Sequence, residues 1–364
     1  MLNFLKKQKN AVGLDLSDVS LKLMQFQIGP RGQIAVQGFS DTVLPKTVIV
    51  GDKIADRGAL AQCIRQAFAS PSFGKLAGPY VNASIPETKS FIRVIQMTEM
   101  SEAEMTEAVT WEAEAYIPVP ISRVYLDWLI LERSGDGKMT VLITASPKDY
   151  IDDLVAVLKN AGLRPLSFEV ESQATVRSLV GKNNDSVLIA DINTRRTSLI
   201  IFDHGTLQFT SSLPIAGNVF TESIARGLGV SFEEAEKRKK EIGLDESEKK
   251  SSLKKYLSPS LTNLVNEIKN TIRFYEEHSG SQGKISKLIL SGGSSKLRHL
   301  PSFFLEKLSN AAPGEHLLRS VPGIRVELGN PWTKVLGKGK IPPLSREDSL
   351  SFATSIGLVL REME

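Results

Sequence analysis

Two aspartates occupy the same place in two similar stretches of this chain. Asp15 lies in VGLDLSDVSLKLMQFQIGPRG (12–32) and Asp191 in LIADINTRRTSLIIFDHG (188–205), each between an apolar strand and a polar turn. From Asp15 to Gly29 is 14 residues, and from Asp191 to Gly205 is again 14. A hairpin of this kind can point backbone N–H groups at phosphate oxygens, while the acid at its edge holds the waters around Mg²⁺. Ser17, Asp18 and Lys22 accompany the first acid, and Asn193, Thr194 and Thr197 the second. Either acid alone reads equally well as a turn cap, a common use of Asp. The pair at matched spacing favours the phosphate reading.

One further stretch could complete such a site. KLILSGGSSKLRHLPSFFLEKL (287–308) reads as a buried strand, a turn at Gly292, Gly293 and Ser294, and a helix with Leu297, Leu300, Phe304, Leu305 and Leu308 inward. The two glycines let the chain turn sharply and let backbone approach a flat ligand such as adenine. SFEEAEKRKKEIG (231–243) carries Glu236 and Lys239 on a helix opened by Ser231 with Glu234 at the capping-box position. By itself that helix reads as a solvated, charge-laced face.

Other chemistries are excluded by what the sequence lacks. The four histidines stand at 204, 278, 299 and 316, never at ligand spacing, and the single cysteine, Cys63, shares a helical face with Leu60, Ile64, Ala67 and Phe68. There is no G-x-S-x-G, no G-x-x-x-x-G-K-[ST] and no G-x-G-x-x-G. A net charge of +4 with mixed signs gives no reason to expect nucleic acid. No apolar run approaches the ~18–20 residues that cross a bilayer, so a cytoplasmic location is expected. MLNFLKK at 1–7 could touch an anionic membrane surface only weakly, and a frayed terminus is the expected state.

At 364 residues the chain exceeds one core, and the repeat divides it. The expected organisation is a first lobe core at 1–85 with 166–185, an inserted α/β subdomain at 86–165, a second lobe core at 186–220 with 284–364, and its own subdomain at 221–283. The insertion combines a strand SFIRVIQM, a helix opened by the Ser101/Glu104 capping box with Met105, Ala108 and Val109 inward, and a hairpin through RSGDG with Val124, Leu126, Trp128 and Ile130 on one face. A second helix from Pro147 to Gly162, burying Ile151, Leu154, Val155 and Leu158, is expected to share that small sheet.

On these residues the chain resembles the actin/Hsp70/sugar-kinase ATPase superfamily, and within it the PilM family of type IV pilus assembly, related to FtsA. The resemblance is carried by SIPETKSFIRVIQMTEMSEAEMTEAVTWEAEAYIPVPISRVYLDW (84–128), IAGNVFTESIARGLGVSFEEAEKRKKEIG (215–243) and ATSIGLVLR (353–361); the run from Trp111 to Pro118 is its most specific piece. It implies a two-lobed, duplicated ribonuclease-H-like α/β fold with ATP and Mg²⁺ between the lobes. Asp15 and Asp191 would then hold Mg²⁺ through water, Lys22 and Thr197 would take the family's basic and threonine positions, and Gly217 with Asn218 its Gly-Gly connecting turn. Glu236 and Lys239 would reach the ribose, and Gly292, Gly293 and Ser294 the adenosine.

Two departures weaken that expectation. The family's D-I-G-S is here Asp15-Leu16-Ser17-Asp18, which loses a glycine and adds a carboxylate worth about 4 kcal/mol of repulsion at ~4 Å and an effective dielectric of 20. Asn193 replaces the glycine of the second loop, a milder change because Asn tolerates left-handed backbone. At most a slow ATPase is expected, with no catalytic residue assignable. The resemblance further implies a partner, the short cytoplasmic N-terminal peptide of a PilN-like single-span inner-membrane protein, docking beside the insertion. Membrane contact would then be indirect, and self-assembly is open. Alternatives are an FtsA-like or type II secretion actin-like protein with a degenerate nucleotide site, and, remotely, a sugar-kinase-type phosphotransferase.

Overall fold

Alternating apolar residues from Val12 onward produce strands whose side chains are almost all out of water. Val12, Leu14, Leu21, Leu23, Met24 and Phe26 each have 0% exposure, which identifies a sheet covered on both faces. The computed structural model describes residues 10–30, 32–181, 186–247, 252–278, 284–309, 320–336 and 342–363. The reading of MLNFLKK therefore lies outside the described residues. Two units make up the chain: Met1–Gly181 with Pro331–Pro343 and Phe352–Glu364, and Lys182–Asn330 with Leu344–Ser351.

In the first unit, β1 (Val12–Leu16), β2 (Ser20–Ile28) and β3 (Ile34–Val43) form a meander, followed by the two-residue strands β4 (Ile49–Val50) and β5 (Lys53–Ile54) and by α1 (Arg57–Ala69). Next come β6 (Phe73–Gly74), β7 (Tyr80–Ile85), β8 (Phe91–Thr98), α2 (Glu102–Glu114), β9 (Val124–Ser134), β10 (Lys138–Pro147), α3 (Lys148–Asn160), β11 (Arg164–Val170) and α4 (Glu171–Leu179). The main sheet runs β11-β7-β1-β2-β3-β6, with β7 parallel to both β1 and β11. A separate sheet, β8-β10-β9, packs Ile95, Met139, Val141 and Ile143 against Met105, Val109 and Ala113 of α2. The Ser101/Glu104 capping box opens α2 as expected.

The second unit repeats the plan. β12 (Val187–Ile192), β13 (Thr197–Asp203) and β14 (Thr206–Leu213) form the meander, and α5 (Gly217–Leu228), α6 (Phe232–Ile242), α7 (Lys254–His278), β15 (Lys287–Ser291), α8 (Leu300–Ser309), β16 (Arg325–Leu328) and α9 (Arg346–Ser349) follow. Its sheet, β14-β13-β12-β15-β16, has the order and directions of β3-β2-β1-β7-β11. The correspondence extends to register. Asp15 pairs with Lys22 and Asp191 with Ser198, seven residues on in each copy. A β-bulge falls ten residues after each acid, at Gln25/Phe26 and at Ile201/Phe202.

Three details differ from the sequence reading. α3 leaves the small sheet and packs Leu154, Val157 and Leu158 beneath the main sheet with Leu60 and Ile64 of α1. Val157 takes the inward place expected of Val155. The last helix, α10 (Ala353–Leu360), belongs to the first unit and not to the second, because its small residues nest on β1 and α4. Finally, Phe303 is buried where Leu305, at 43% exposure, was expected inward.

The seat of α10 depends on glycine at two points. A methyl group at Gly357 would overlap the carbonyl oxygen of Ala174, and one at Gly13 that of Ser355. Gly357→Ala is therefore expected to lower stability by about 1–3 kcal/mol or more, since backbone on both sides must shift. A drop in the urea midpoint with an unchanged slope is the measurement that checks it.

Candidate functional site

The residues singled out from sequence fall into two groups, one in each unit. In the first unit Asp15 is partly buried at the end of β1, and Ser84 of the neighbouring β7 donates to its Oδ1 at 3.0 Å. Burial pushes the Asp15 carboxyl above its ordinary value; the Lys22 ammonium and the Ser84 hydroxyl pull it back, and Asp41 adds to the rise. Lys22 donates to the Ser20 hydroxyl at 2.8 Å and lies 4.0 Å from Asp41. Ser17 does not take a positive φ. Its hydroxyl accepts from the Ser20 N–H at 3.0 Å, and its own N–H donates to the Ser20 carbonyl at 2.9 Å, so the turn closes on itself. Asp18 sits at the tip, partly exposed.

Sequence reasoning missed two neighbours of this hairpin. Ser84 is one. Tyr150 of α3 is the other, its hydroxyl pushed well up by burial and then by the carboxylates of Glu171, Asp52 and Asp15. Glu171, the first residue of α4, accepts from the Glu87 N–H at 3.3 Å. A signal for Ser84 existed: the parallel partner of Asp191 in β15 is likewise a serine, Ser291.

In the second unit the predicted residues meet through hydrogen bonds. The hairpin tip closes as in the first unit, with the Asn193 N–H donating to the Arg196 carbonyl at 3.0 Å. Asn193 has no positive φ either, so its tolerance of that conformation is not used. Its side chain donates to Asp191 Oδ2 at 2.5 Å. Its carbonyl accepts from the Gly217 N–H at 3.0 Å and from the Ser294 hydroxyl at 2.9 Å, and the Thr194 carbonyl accepts from the Asn218 N–H at 2.8 Å. Gly217 and Asn218 thus form the first turn of α5, where a connecting turn was expected. Thr197 is fully buried and donates to the Ile215 carbonyl at 2.6 Å, so it fastens the hairpin to the chain entering α5.

The helix α6 closes the group. Lys239, 7% exposed, donates to the Gly217 carbonyl at 3.0 Å and to the Thr221 hydroxyl at 2.8 Å, and pairs with Glu236 at 2.7 Å. Burial pushes the Lys239 ammonium down, with Glu236 opposing. For Glu236, burial alone would raise the carboxyl, but hydrogen bonds from Lys239 and Thr221 hold it below its ordinary value. A methyl at Gly217 would overlap the Ser294 hydroxyl and crowd the Asn193 carbonyl, so a larger residue there would displace that hydroxyl. Gly292 itself has φ +83°, and a side chain there would strike the backbone of Ile192. Gly293 is exposed and its missing side chain faces open space apart from Ser351 at 3.9 Å.

Among the described residues no group of three or more His, Cys, Asp or Glu is arranged to hold a metal ion. No helix among the described residues is long and apolar enough to cross a membrane.

The arrangement has solved counterparts. The chain matches a structure described as a PilM-PilN type IV pilus biogenesis complex with a TM-score of 0.79 at 26% identity, over 98% of this chain and 99% of that one. Ethanolamine utilization protein EutJ from Carboxydothermus hydrogenoformans matches at 0.55 and 16% identity, over 96% and 89%. MreB5 of Spiroplasma citri, solved bound to AMPPNP, matches at 0.52 and 13%, over 95% and 93%. Two sheets of one order and register, each with an acid at the same rung, define an actin-like α/β protein. Cell division protein FtsA of Bacillus subtilis (strain 168) is 26% identical over 184 residues, 46% of this chain but only 41% of FtsA. The family described as type IV pilus assembly protein PilM matches residues 13–363, and the chain belongs to that family.

In the ligand-free protein, the raised Asp15 has a definite consequence for stability. Between its unfolded value near 3.8 and its higher folded value, the native state binds more protons than the unfolded one, so stability falls as pH rises through that window. Asp15→Asn is expected to flatten this fall, and urea denaturation of both proteins from pH 4 upward checks it.

Proposed function

We propose that this PilM-family protein is an ATP-binding scaffold that docks the cytoplasmic N-terminal peptide of a PilN-like inner-membrane protein, hydrolysing ATP slowly if at all. The observation that carries the nucleotide reading is the meeting of Asn193, Gly217, Ser294 and Lys239 in the second unit. A glycine turn beside a helix start and a buried lysine suits a nucleotide: Gly292 and Gly293 leave room for a flat base, and the Glu236–Lys239 pair lies on α6 within reach of a sugar hydroxyl. Asp191 would hold waters of Mg²⁺. In the first hairpin the Ser17 hydroxyl is engaged by its own turn and its backbone takes no left-handed φ. Turnover is accordingly expected to be poor.

The partner reading rests on the small sheet of the first unit. β9 is an outer strand, and its Tyr125 and Leu129 are 48% and 58% exposed. An extended peptide added along that edge would gain main-chain hydrogen bonds and apolar contacts together. Association with the inner membrane would then come through the partner.

Gly293→Val is expected to weaken binding of a fluorescent ATP analogue by about tenfold or more without lowering the melting temperature, because the new side chain meets ligand and not protein. Wild-type protein that shows no binding at millimolar Mg-ATP would overturn the nucleotide reading. Leu129→Asp is expected to weaken a synthetic PilN N-terminal peptide by a similar factor and leave nucleotide binding alone.

A further inference from the structure

The outward face of α2 is unlike any other helix surface described in the first unit. Met105, Val109 and Ala113 point into the small sheet. At 100° per residue, Glu104, Glu107, Trp111 and Glu114 form a narrow stripe on the opposite side of the same helix. Trp111 is 69% exposed, and Val119, one turn past the helix end, is 42% exposed. A large indole left in water on a rigid helix is an unpartnered apolar surface, and indoles of this kind anchor interfaces.

The charge around it selects the occupant. Within α2 there are five glutamates and no lysine or arginine. Glu104 is engaged by Ser101 in the capping box. Among the described residues, Glu107 and Glu114 have no ion-pair partner, and they stand one turn to either side of Trp111. An arginine fits this arrangement in full: its guanidinium stacks on the indole face while its N–H groups reach the flanking carboxylates. The same subdomain already holds one such contact, with the Arg93 guanidinium 3.9 Å from the centre of the Tyr116 ring.

We propose that α2 is a second docking surface, taking an arginine-bearing basic segment of a partner protein, with Trp111 as its anchor and Glu107 and Glu114 as its charge partners. This surface is separate from the β9 edge and does not rest on the nucleotide or PilN readings.

The test titrates the full chain into a labelled arginine-rich peptide and into the matched peptide with citrulline at every arginine, following anisotropy at physiological salt. Binding is expected for the arginine peptide and to be at least about tenfold weaker for the citrulline one. Trp111→Ala and the double change Glu107→Gln with Glu114→Gln should each weaken binding by about tenfold. Glu233→Gln with Glu241→Gln, which removes the same charge from the exposed face of α6, should leave it unchanged. All the substituted side chains are exposed, and unchanged melting curves would confirm folding. Binding that survives Trp111→Ala, or that falls equally with the α6 pair, would overturn the proposal.

Discussion

One carbonyl oxygen, that of Asn193, holds the second unit's site together. It accepts from the α5 N-terminus at Gly217 and from the hydroxyl of Ser294, so hairpin, helix and glycine turn are fixed to a single atom. Each bond contributes only about 0.5–1.5 kcal/mol net, but leaving that buried acceptor or its donors unmade would cost more. The constraint therefore acts through geometry: no one of the three elements can move without exposing a polar group on another. Lys239 reinforces it from α6 by binding the carbonyl of the same Gly217. A buried ammonium needs such partners, and the Glu236 carboxylate supplies the counter-charge.

The two copies of the hairpin have spent the same geometry differently. Ser17 and Asn193 occupy equivalent places, and each N–H closes its turn onto the carbonyl three residues later. Ser17 then turns its hydroxyl onto that same turn, and the hairpin is self-contained. Asn193 turns its side chain to Asp191 and its carbonyl to two other elements. At the next equivalent pair, Lys22 faces across from Asp15 where the second copy has Ser198. In the first copy a lysine faces the acid across the ladder, and in the second the Asn193 amide donates to the acid. Burial nevertheless holds the Asp15 carboxyl above its ordinary value, against the pull of Lys22 and Ser84.

Much of this was legible in the sequence, for identifiable reasons. The duplication showed because a ladder register repeats at fixed spacing, and a 14-residue interval survives even where few residue identities do. The capping box at Ser101 and the glycine turn at Gly292 are local signals that need no tertiary context. What stayed hidden depends on contacts distant in sequence. The apolar patterns say that α3 buries one face and that α10 is buried, but not against which sheet, and both lie against neighbours other than those expected. The pattern of α6 reads as a solvated charged helix until Thr221, fifteen residues before Glu236, is found bonded to it. Ser84 is a single polar residue in a buried strand, and it gains meaning only beside Asp15.

The inserted subdomain carries a different kind of information from the two duplicated sheets. Those sheets are covered on both faces and their glycines are fixed by close backbone approach, so their surfaces have little freedom to acquire partners. The β8-β10-β9 sheet has one helix on one face and presents β9 as an open edge. An open edge and an exposed indole are costs in a free protein, because the edge invites unspecific pairing and the indole invites association. A fold that keeps both on one small subdomain gives that subdomain a capacity for association, alongside the exposed Val43 and Phe73 of the main sheet.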